Sequence, residues 1–490
     1  MNYLIYPTID LYLYDLRDGL GQKTEIIQNN HNGFLRKLPE RIHALISQID
    51  PLFEVEYLEL LEQQRTINLF EERQDYEGYA YPVRLSDTYG LLLDCSVTDP
   101  TSPQLIESIA HLKTILDCYL NQNSPTLGQT WMISGQLHDP LLTEQDIIQI
   151  AKECYRHLIP NARWDDNFKG QGKILDGTFF ELWKYTSTIA ENPDRQTEFS
   201  EFLNLAKNHH VIIALYPNLK VAKKAADLIS FWMRLWCYRN KILWAYYHNR
   251  LLKRSLKEKF TKITQYIQNL EEQQHKKLNL EILDLQLTEA KELFTQYGIE
   301  LTQLDFQIHT IEINLYNYQQ QFETIEQKLK QETAISDLEI LQKFAKLTEN
   351  KFLPQVQKDA ENLGSGLKLL EFAVNLIRAE VEVTKTESDR RFQIQFAIWG
   401  TAIAIGAVVA DISAQFPTVI VPTVTVTDAP PPDANLAIEH PIGSLLFKLG
   451  VSEMWLAPWI SLVSGVAVTL IFGGLLLCLK PLIQKRRSRR

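Results

Sequence analysis

Cysteine is scarce in this sequence. The 490-residue chain contains five cysteines, and no two of them form a CxxC pair. Structural zinc sites and disulfide frameworks both need closely spaced cysteines, so their absence argues against both kinds of site and fits a reduced cytoplasm. The five residues are Cys95, Cys118, Cys154, Cys237 and Cys478.

Two other features are missing. The N-terminal residues MNYLIYPTIDLYLYDLRDG lack the basic segment and apolar core of a secretory signal peptide. The net charge of −10 is mild for this length, and it gives no sign of a nucleic-acid-binding surface across the whole protein. We therefore expect no nucleic-acid partner. The length of 490 residues is enough for two or three domains.

Charged residues are absent from two long stretches near the C-terminus, 392–410 and 456–479. A helix rises about 1.5 Å per residue, so each stretch could cross most or all of a hydrocarbon layer about 30 Å thick. The sequence predicts transmembrane helix 1 at 392–410 and transmembrane helix 2 at 456–479. The alternative for the first stretch is a buried core helix.

The flanking charges predict an orientation. Basic residues precede the first stretch and fill the tail 480–490, whereas the intervening segment 411–455 has five acidic residues and a single lysine. Positive charge stays on the cytoplasmic side, so we expect both termini in the cytoplasm, an extracytoplasmic loop at 411–455 and location in the inner membrane. Anionic lipid in the bilayer is the expected partner of the basic tail.

Small residues recur at every fourth position in both stretches, so each predicted helix has a shallow stripe for close helix packing. This packing could lie within the hairpin or between subunits. Asp411 ends the first stretch; it is a pore-mouth residue if the subunits form a ring, and otherwise a boundary residue. The helix-packing residues are Ala402, Gly406, Ala410, Ser461, Gly465, Thr469 and Gly473.

Residues 1–218 mix strand and helix patterns and predict an α/β or α+β cytoplasmic domain. The most regular strands are expected at 3–14, 130–134 and 211–216, and a helix that begins at Thr143 is expected at 143–157. Further helices are predicted at 34–49, 55–64, 103–120 and 198–207. A strand pair around Asp87 is predicted at 79–97, and a further strand at 173–186.

Residues 219–391 are rich in Gln, Glu, Lys and Leu, and predict a long helical coiled-coil stalk. Apolar residues alternate at spacings of three and four, which is typical of the seam along which one helix of a coiled coil packs on another. The spacing alone does not decide whether that other helix is in the same chain or in another subunit. Aromatic and basic residues mix at 229–252, where they could stack on bases or bury a helix against a domain. The apolar positions are Leu301, Leu304, Ile308, Ile311, Leu315, Tyr318, Phe322, Ile325 and Leu329.

No strong catalytic signature is present, so we expect a protein that is not an enzyme and has no catalytic, metal-binding or cofactor-binding residues. Gly170 to Lys173 lacks the spacing of a phosphate loop and predicts a turn. His138 and Asp139 could begin a metal site with His111 and His157, but the pair fits an ordinary turn. The acidic residues at 71–77 could hold Mg²⁺ or form a solvated loop.

The order of parts resembles the CorA-like family of divalent-cation channels, which are homopentamers. The resemblance is one of layout: the family's Gly-Met-Asn signature is absent, and the equivalent residues read AVVADISAQFP. It implies a homo-oligomer in which a cytoplasmic domain senses an unknown ligand or protein and acts through the stalk on an oligomeric membrane part, with ligand-gated ion flux. The alternatives are a non-conducting membrane-tethered scaffold or signalling protein, and a membrane-anchored enzyme.

Overall fold

The fold is organised around a long N-terminal strand, β1 (Tyr3–Leu16), which pairs with strands on both of its sides. Tyr, Leu and Ile dominate it, and these side chains fit a half-buried pleated surface. The strand predicted at 3–14 is therefore confirmed. This computed structural model describes residues 3–19, 22–47, 55–61, 64–70, 75–139, 141–185, 208–273 and 280–384.

The described strands form one mixed sheet. After β1 they are β2 (Leu58–Glu59), β3 (Ile67–Asn68), β4 (Tyr76–Glu77), β5 (Tyr79–Leu85), β6 (Thr88–Val97), β7 (Pro103–Leu105), β8 (Gly128–Leu137), β9 (Phe168–Ile174), β10 (Gly177–Lys184) and β11 (His209–Tyr216). Their order is β2-β5-β6-β1-β8-β11-β10-β9, and β3, β4 and β7 pair with β5, β6 and β1. The pairs are antiparallel apart from β8 and β11, which are parallel.

Ten helices belong to the described part of the chain. They are α1 (Thr24–Leu35), α2 (Glu40–Ser47), α3 (Ser108–Leu120), α4 (Glu144–Leu158), α5 (Trp164–Asn167), α6 (Leu219–Ala226), α7 (Ile229–Gln273), α8 (Leu280–Lys330), α9 (Glu339–Leu347) and α10 (Leu353–Thr384). A π-helical turn, Thr348–Phe352, joins α9 to α10. The predicted start of α4 is confirmed, because Thr143 and Asp146 form a reciprocal capping box.

Alternating side chains divide the sheet into two buried faces. Ile9, Leu11 and Leu13 of β1 join a core with α3 and α4, whereas Tyr12 and Tyr14 join a second core with α7. This is the period-two pattern of a strand that is covered on both sides. Helices therefore cover both faces of the sheet.

The long helices pack on one another within the chain. The predicted heptad residues of α8 lie in the same core as α7, so the partner of this seam is intramolecular. Tyr318 of α8 donates a hydrogen bond to the carbonyl of Leu341 in α9, and Tyr297 donates one to the carbonyl of Leu363 in α10. Of the two alternatives for the partner helix, the structure supports a partner in the same chain for these residues.

The aromatic segment at the start of α7 is buried against the sheet. Trp232 and Trp236 are almost inaccessible to solvent, and the Tyr14 hydroxyl donates a hydrogen bond of 2.9 Å to the Met233 carbonyl. Of the two interpretations of residues 229–252, burial against a domain is therefore confirmed. The buried tryptophan rings are not available for stacking on bases.

Two local predictions were wrong. The helix expected at 55–64 is replaced by the short strand β2, where the Glu59 carboxylate accepts hydrogen bonds from Arg65 and Tyr81. Tertiary pairing at the sheet edge outweighs local helix propensity there. The single strand expected at 173–186 is a β9–β10 hairpin, and its turn residues Leu175 and Asp176 have positive φ angles.

Other segments agree in part. The helix expected at 103–120 is shortened to α3, because residues 103–105 form β7 and pair with β1. The helix expected at 34–49 is represented by the end of α1 and by α2. The helix expected at 198–207 lies outside the described residues.

The fold class needs a correction at the C-terminal end. No helix among the described residues is both long and apolar enough to cross a membrane. Length is not the obstacle, since α7, α8 and α10 have 45, 51 and 32 residues, but charged side chains recur along all three. The described fold is thus a mixed sheet with long helices and without the predicted transmembrane hairpin. The stretches 392–410 and 456–479 lie outside the described residues.

Candidate functional site

A deep cleft opens at one end of the sheet face that α7 covers. Its volume is about 900 Å³. Strands β1, β6, β8 and β11 form its floor, α6 and the first turns of α7 form one wall, and Asn68, Phe70 and residues 76–79 border it. Clefts of this size with mixed apolar and polar linings are typical of small-molecule sites.

Two aspartates face each other in this cleft. Asp10 of β1 lies directly opposite Asp94 of β6 in the antiparallel register, and the two side chains are hydrogen-bonded. Both residues are more than nine-tenths buried. Asp10 and Asp94 lie on the same face of the sheet as Tyr12 and Leu92, which belong to the core that packs against α7. The two carboxylates therefore occupy positions at which this face otherwise has apolar side chains.

Burial shifts the acidity of this pair. Loss of solvation raises the pKa of Asp10 to about 7, and the hydrogen bond from Asp94 opposes the shift. The pKa of Asp94 is raised well above its usual value, first by burial and then by the nearby negative charge of Asp10. Among the described residues, no cation contributes to either pKa. The pair therefore holds at least one proton at neutral pH, as like charges in contact must.

Tyrosines surround the two carboxylates. The Tyr12 hydroxyl is fully buried and has no hydrogen-bond partner among the described residues. The Tyr6 hydroxyl donates to the Glu77 carboxylate and accepts a hydrogen bond of 3.3 Å from Ser96. An unpaired buried hydroxyl costs about 1–3 kcal/mol, so Tyr12 marks a position where a bound polar group would be stabilising.

A second buried polar cluster lies between the sheet and the long helices; we call it the joint. It consists of Thr130, Glu181, His210, Arg239 and Asn240, all at most 5 % exposed. Asn240 donates to the Thr130 hydroxyl at 3.1 Å, and this hydroxyl lies 3.0 Å from His210 Nδ1. His210 Nε2 lies 3.2 Å from the Glu181 carboxylate. The four side chains form one continuous hydrogen-bonded chain.

The charges of the joint compensate one another. Burial raises the pKa of Glu181 to about 7, but the positive charges of Arg239, Lys169 and Lys343 oppose this shift. Burial lowers the pKa of Arg239 to about 10, and Glu181 opposes that. Burial and the Arg239 charge lower the pKa of His210, which keeps its ring neutral. Arg239 also lies 4.4 Å from the centre of the Phe344 ring of α9, so the joint ties the sheet to the helices.

The weaker sequence motifs do not form a site. Gly170 and Gly172 lie within β9 rather than in a turn, and a Cβ atom on Gly172 would approach the Asp337 carbonyl to 2.3 Å. These glycines allow the chain before α9 to pack on the strand. Residues 71 and 72 of the acidic segment lie outside the described residues, whereas Glu77 lies in the cleft.

The histidine motif has a structural role. His138 Nδ1 lies 3.0 Å from the Tyr3 carbonyl, which it can hold by donating a hydrogen bond. Within the described ranges no group of three His, Cys, Asp or Glu side chains is placed to hold a metal ion.

Sequence reasoning missed the central pair, although a weak signal was present. Asp10 and Asp94 both stand inside apolar strand patterns, in IDLYLYD and LLLDCSV. The predicted C-terminal sites, Asp411 and the small-residue stripes, lie outside the described residues.

Comparisons of the chain with protein-family models, curated proteins and solved structures give no match. Function is therefore inferred from the geometry of the cleft and of the joint.

Proposed function

We propose that residues 3–384 form a ligand sensor: a small molecule binds in the cleft, and α7 carries the response into the long helices. The observation that supports this most is that one cleft contains both the buried aspartate pair and the first turns of α7. A ligand that touches both must stabilise particular positions of the helix relative to the sheet.

A row of packed rings links the cleft to the joint. Trp232 lines the cleft and stacks on Trp236, with ring centres 5.5 Å apart. The Trp236 ring lies 4.9 Å from the ring of His210, which belongs to the joint. A displacement of Trp232 by ligand therefore reaches the point where α7 is fastened to the sheet and to α9.

The test is a thermal-stability screen of the full chain against amines, amino acids, sugars, nucleotides and carboxylates. We expect at least one class to raise the Tm of the wild type and to slow hydrogen exchange along α7. Filling the cleft with Ala222→Trp should abolish both effects. Gln149→Trp, on the exposed side of α4, is the control and should respond like the wild type. Stabilisation that persists in Ala222→Trp, or none in any class, would contradict the proposal.

A second candidate function is supported by a different surface. The outer side of α8 exposes Leu285, Ile299, Phe306 and Ile313, which are separated by multiples of seven residues. Such a stripe is typical of a second coiled-coil seam, and we propose that another copy of the chain covers it, as expected of an assembly scaffold.

Light scattering of the purified chain tests this second candidate. We expect an oligomer that Ile299→Glu with Ile313→Glu converts to a monomer. Ile335→Glu, also exposed but away from the stripe, should leave the mass unchanged. A monomeric wild type would eliminate the scaffold function and leave the sensor unaffected. Ion flux stays a prediction, because Asp411 lies outside the described residues.

A further inference from the structure

We propose that the cleft binds a small organic cation, carrying a primary ammonium or guanidinium group, on the Asp10–Asp94 pair, in exchange for a proton of that pair. The inference rests on the proposed sensor function and adds the chemical class of its ligand. It is carried by the two facing carboxylates, the unpaired Tyr12 hydroxyl and the aromatic walls of the cleft.

The polar floor matches the donors of such a cation. An ammonium group has three N–H donors and no acceptor. The cleft offers two carboxyl groups, and it is also lined by Tyr12, whose buried hydroxyl has no hydrogen-bond partner among the described residues and can accept a hydrogen bond. A bound N–H donor would satisfy this hydroxyl and give Asp10 the positive neighbour that the described residues do not supply.

The walls favour an organic ligand over a metal ion. The half-buried rings of Tyr76 and Tyr79 line the cleft, and aromatic faces attract organic cations. The volume of about 900 Å³ suits a molecule of several heavy atoms rather than one ion. Calcium prefers six to eight oxygen ligands, and within the described residues no three candidate metal ligands converge.

The proton balance follows from the pair. At low pH both aspartates are protonated and the pair is neutral. Binding then sends one proton from Asp10 to solvent, while the ligand keeps its charge. The ionised fraction of Asp10 rises between pH 6 and pH 8, since its pKa is about 7. Affinity should therefore rise about tenfold over this range. The other titratable groups that line the cleft are Tyr6, Tyr12, Tyr76, Glu77, Tyr79, Tyr216 and Lys223.

Titration calorimetry of the full chain with tyramine and with tyrosol tests the inference, because the two probes differ in an ammonium and a hydroxyl group. We expect tyramine to bind at least tenfold more tightly than tyrosol at pH 8, and to lose about tenfold at pH 6. Agmatine should behave like tyramine. Asp10→Asn and Asp94→Asn should each weaken tyramine binding at least thirtyfold, whereas Asp117→Asn, a carboxylate of α3, should match the wild type.

Three results would overturn the inference. Equal binding of tyramine and tyrosol, or tyramine binding without pH dependence, would show that the cleft does not select a cation. Binding of MgCl₂ alone that Asp10→Asn abolishes would show that a metal ion is the ligand. Because the probe and pH comparisons use the wild type, they hold even if a variant fails to fold. In each case the proposed sensor function is retained if any screened compound raises the Tm of the wild type but not that of Ala222→Trp.

Discussion

Asp10 in the cleft and Glu181 in the joint are buried carboxylates of one sheet, and loss of solvation raises the pKa of each to about 7. Their neighbours differ. Glu181 faces His210 and the positive charges of Arg239, Lys169 and Lys343. Asp10 faces a second carboxylate, Asp94, and an unpaired tyrosine hydroxyl.

Burial of a carboxylate does not by itself indicate a binding site. A buried carboxylate whose opposing cations come from the chain itself is compensated in charge, and it fixes the elements that supply those cations, even though Glu181 Oε2 and Arg239 Nε have no hydrogen-bond partner among the described residues. A buried pair of like groups without such partners is stabilised by what binds from outside, a proton or a cation. We therefore assign a structural role to the joint and a ligand-binding role to the cleft.

The largest expected effect breaks the joint. Arg239→Met removes the first cation that opposes the pKa shift of Glu181, and it should lower the free energy of unfolding by about 3 kcal/mol at pH 7, because it leaves a poorly compensated buried carboxylate. Urea denaturation measures this. Lys257→Met, exposed on the same helix, should stay within about 0.5 kcal/mol of the wild type. Equal effects of the two changes would mean that Arg239 does not compensate Glu181, and the joint would lose its structural role.

The next effect concerns the helices that the joint fastens. Gly366 of α10 packs so closely that an added Cβ would lie 2.2 Å from the Tyr297 hydroxyl and 2.8 Å from the Phe260 ring. Gly366→Ala should therefore cost about 2 kcal/mol through overpacking. Gly364→Ala meets no atom within 4 Å and should stabilise the helix by about 0.5–1 kcal/mol. Thermal unfolding of the two variants measures the difference in their stability. A similar Tm for both would mean that α10 does not pack this closely against Tyr297 and Phe260.

The parts of the fold that the sequence predicts are those with a local sequence pattern. The residues of β1, the capping box at Thr143 and the heptads of α8 all signal their structure within a few turns or one strand. The β9–β10 hairpin was missed because Leu175 takes a positive φ angle without being glycine. Its conformation is favoured by contacts with a distant segment, since the Ile335 amide donates to the Asp176 side chain.

The candidate site could not be predicted from local pattern. Asp10 and Asp94 meet only through the β1–β6 register, which depends on the whole sheet. Each aspartate alone looks like an interruption of an apolar strand. Glu181 and Arg239 are likewise ordinary polar residues in the sequence, and their burial follows from the position of α7 across the sheet.

The stability of the protein should depend on pH through Asp10. The pKa of Asp10 is about 7 in the folded state and about 3.9 in an unfolded chain, so the stability that its bound proton contributes is complete below pH 4 and lost as the pH rises through 7. Asp10→Asn should abolish this loss and raise the free energy of unfolding at pH 8 by on the order of 2 kcal/mol. Denaturation at pH 5 and pH 8 measures it.

The matched change at the joint is Glu181→Gln. The pKa of Glu181 is also raised to about 7, so this change should likewise raise the free energy of unfolding at pH 8. It should leave the affinity for tyramine close to that of the wild type, because Glu181 lies outside the cleft. If Glu181→Gln weakens tyramine binding as much as Asp10→Asn does, the assignment of binding to the cleft is wrong.

The smallest effect compares two buried hydroxyl groups, each removed with little change of shape. Thr130→Val deprives both Asn240 and His210 of a partner and should cost about 1–2 kcal/mol. Tyr12→Phe removes a hydroxyl that has no partner among the described residues, so it should leave stability unchanged or raise it by up to about 1 kcal/mol. It should nevertheless weaken tyramine binding, because the lost hydroxyl accepts the ligand's hydrogen bond. If Tyr12→Phe loses stability and keeps its affinity for tyramine, the Tyr12 hydroxyl has a structural role, like the residues of the joint, and does not bind the ligand.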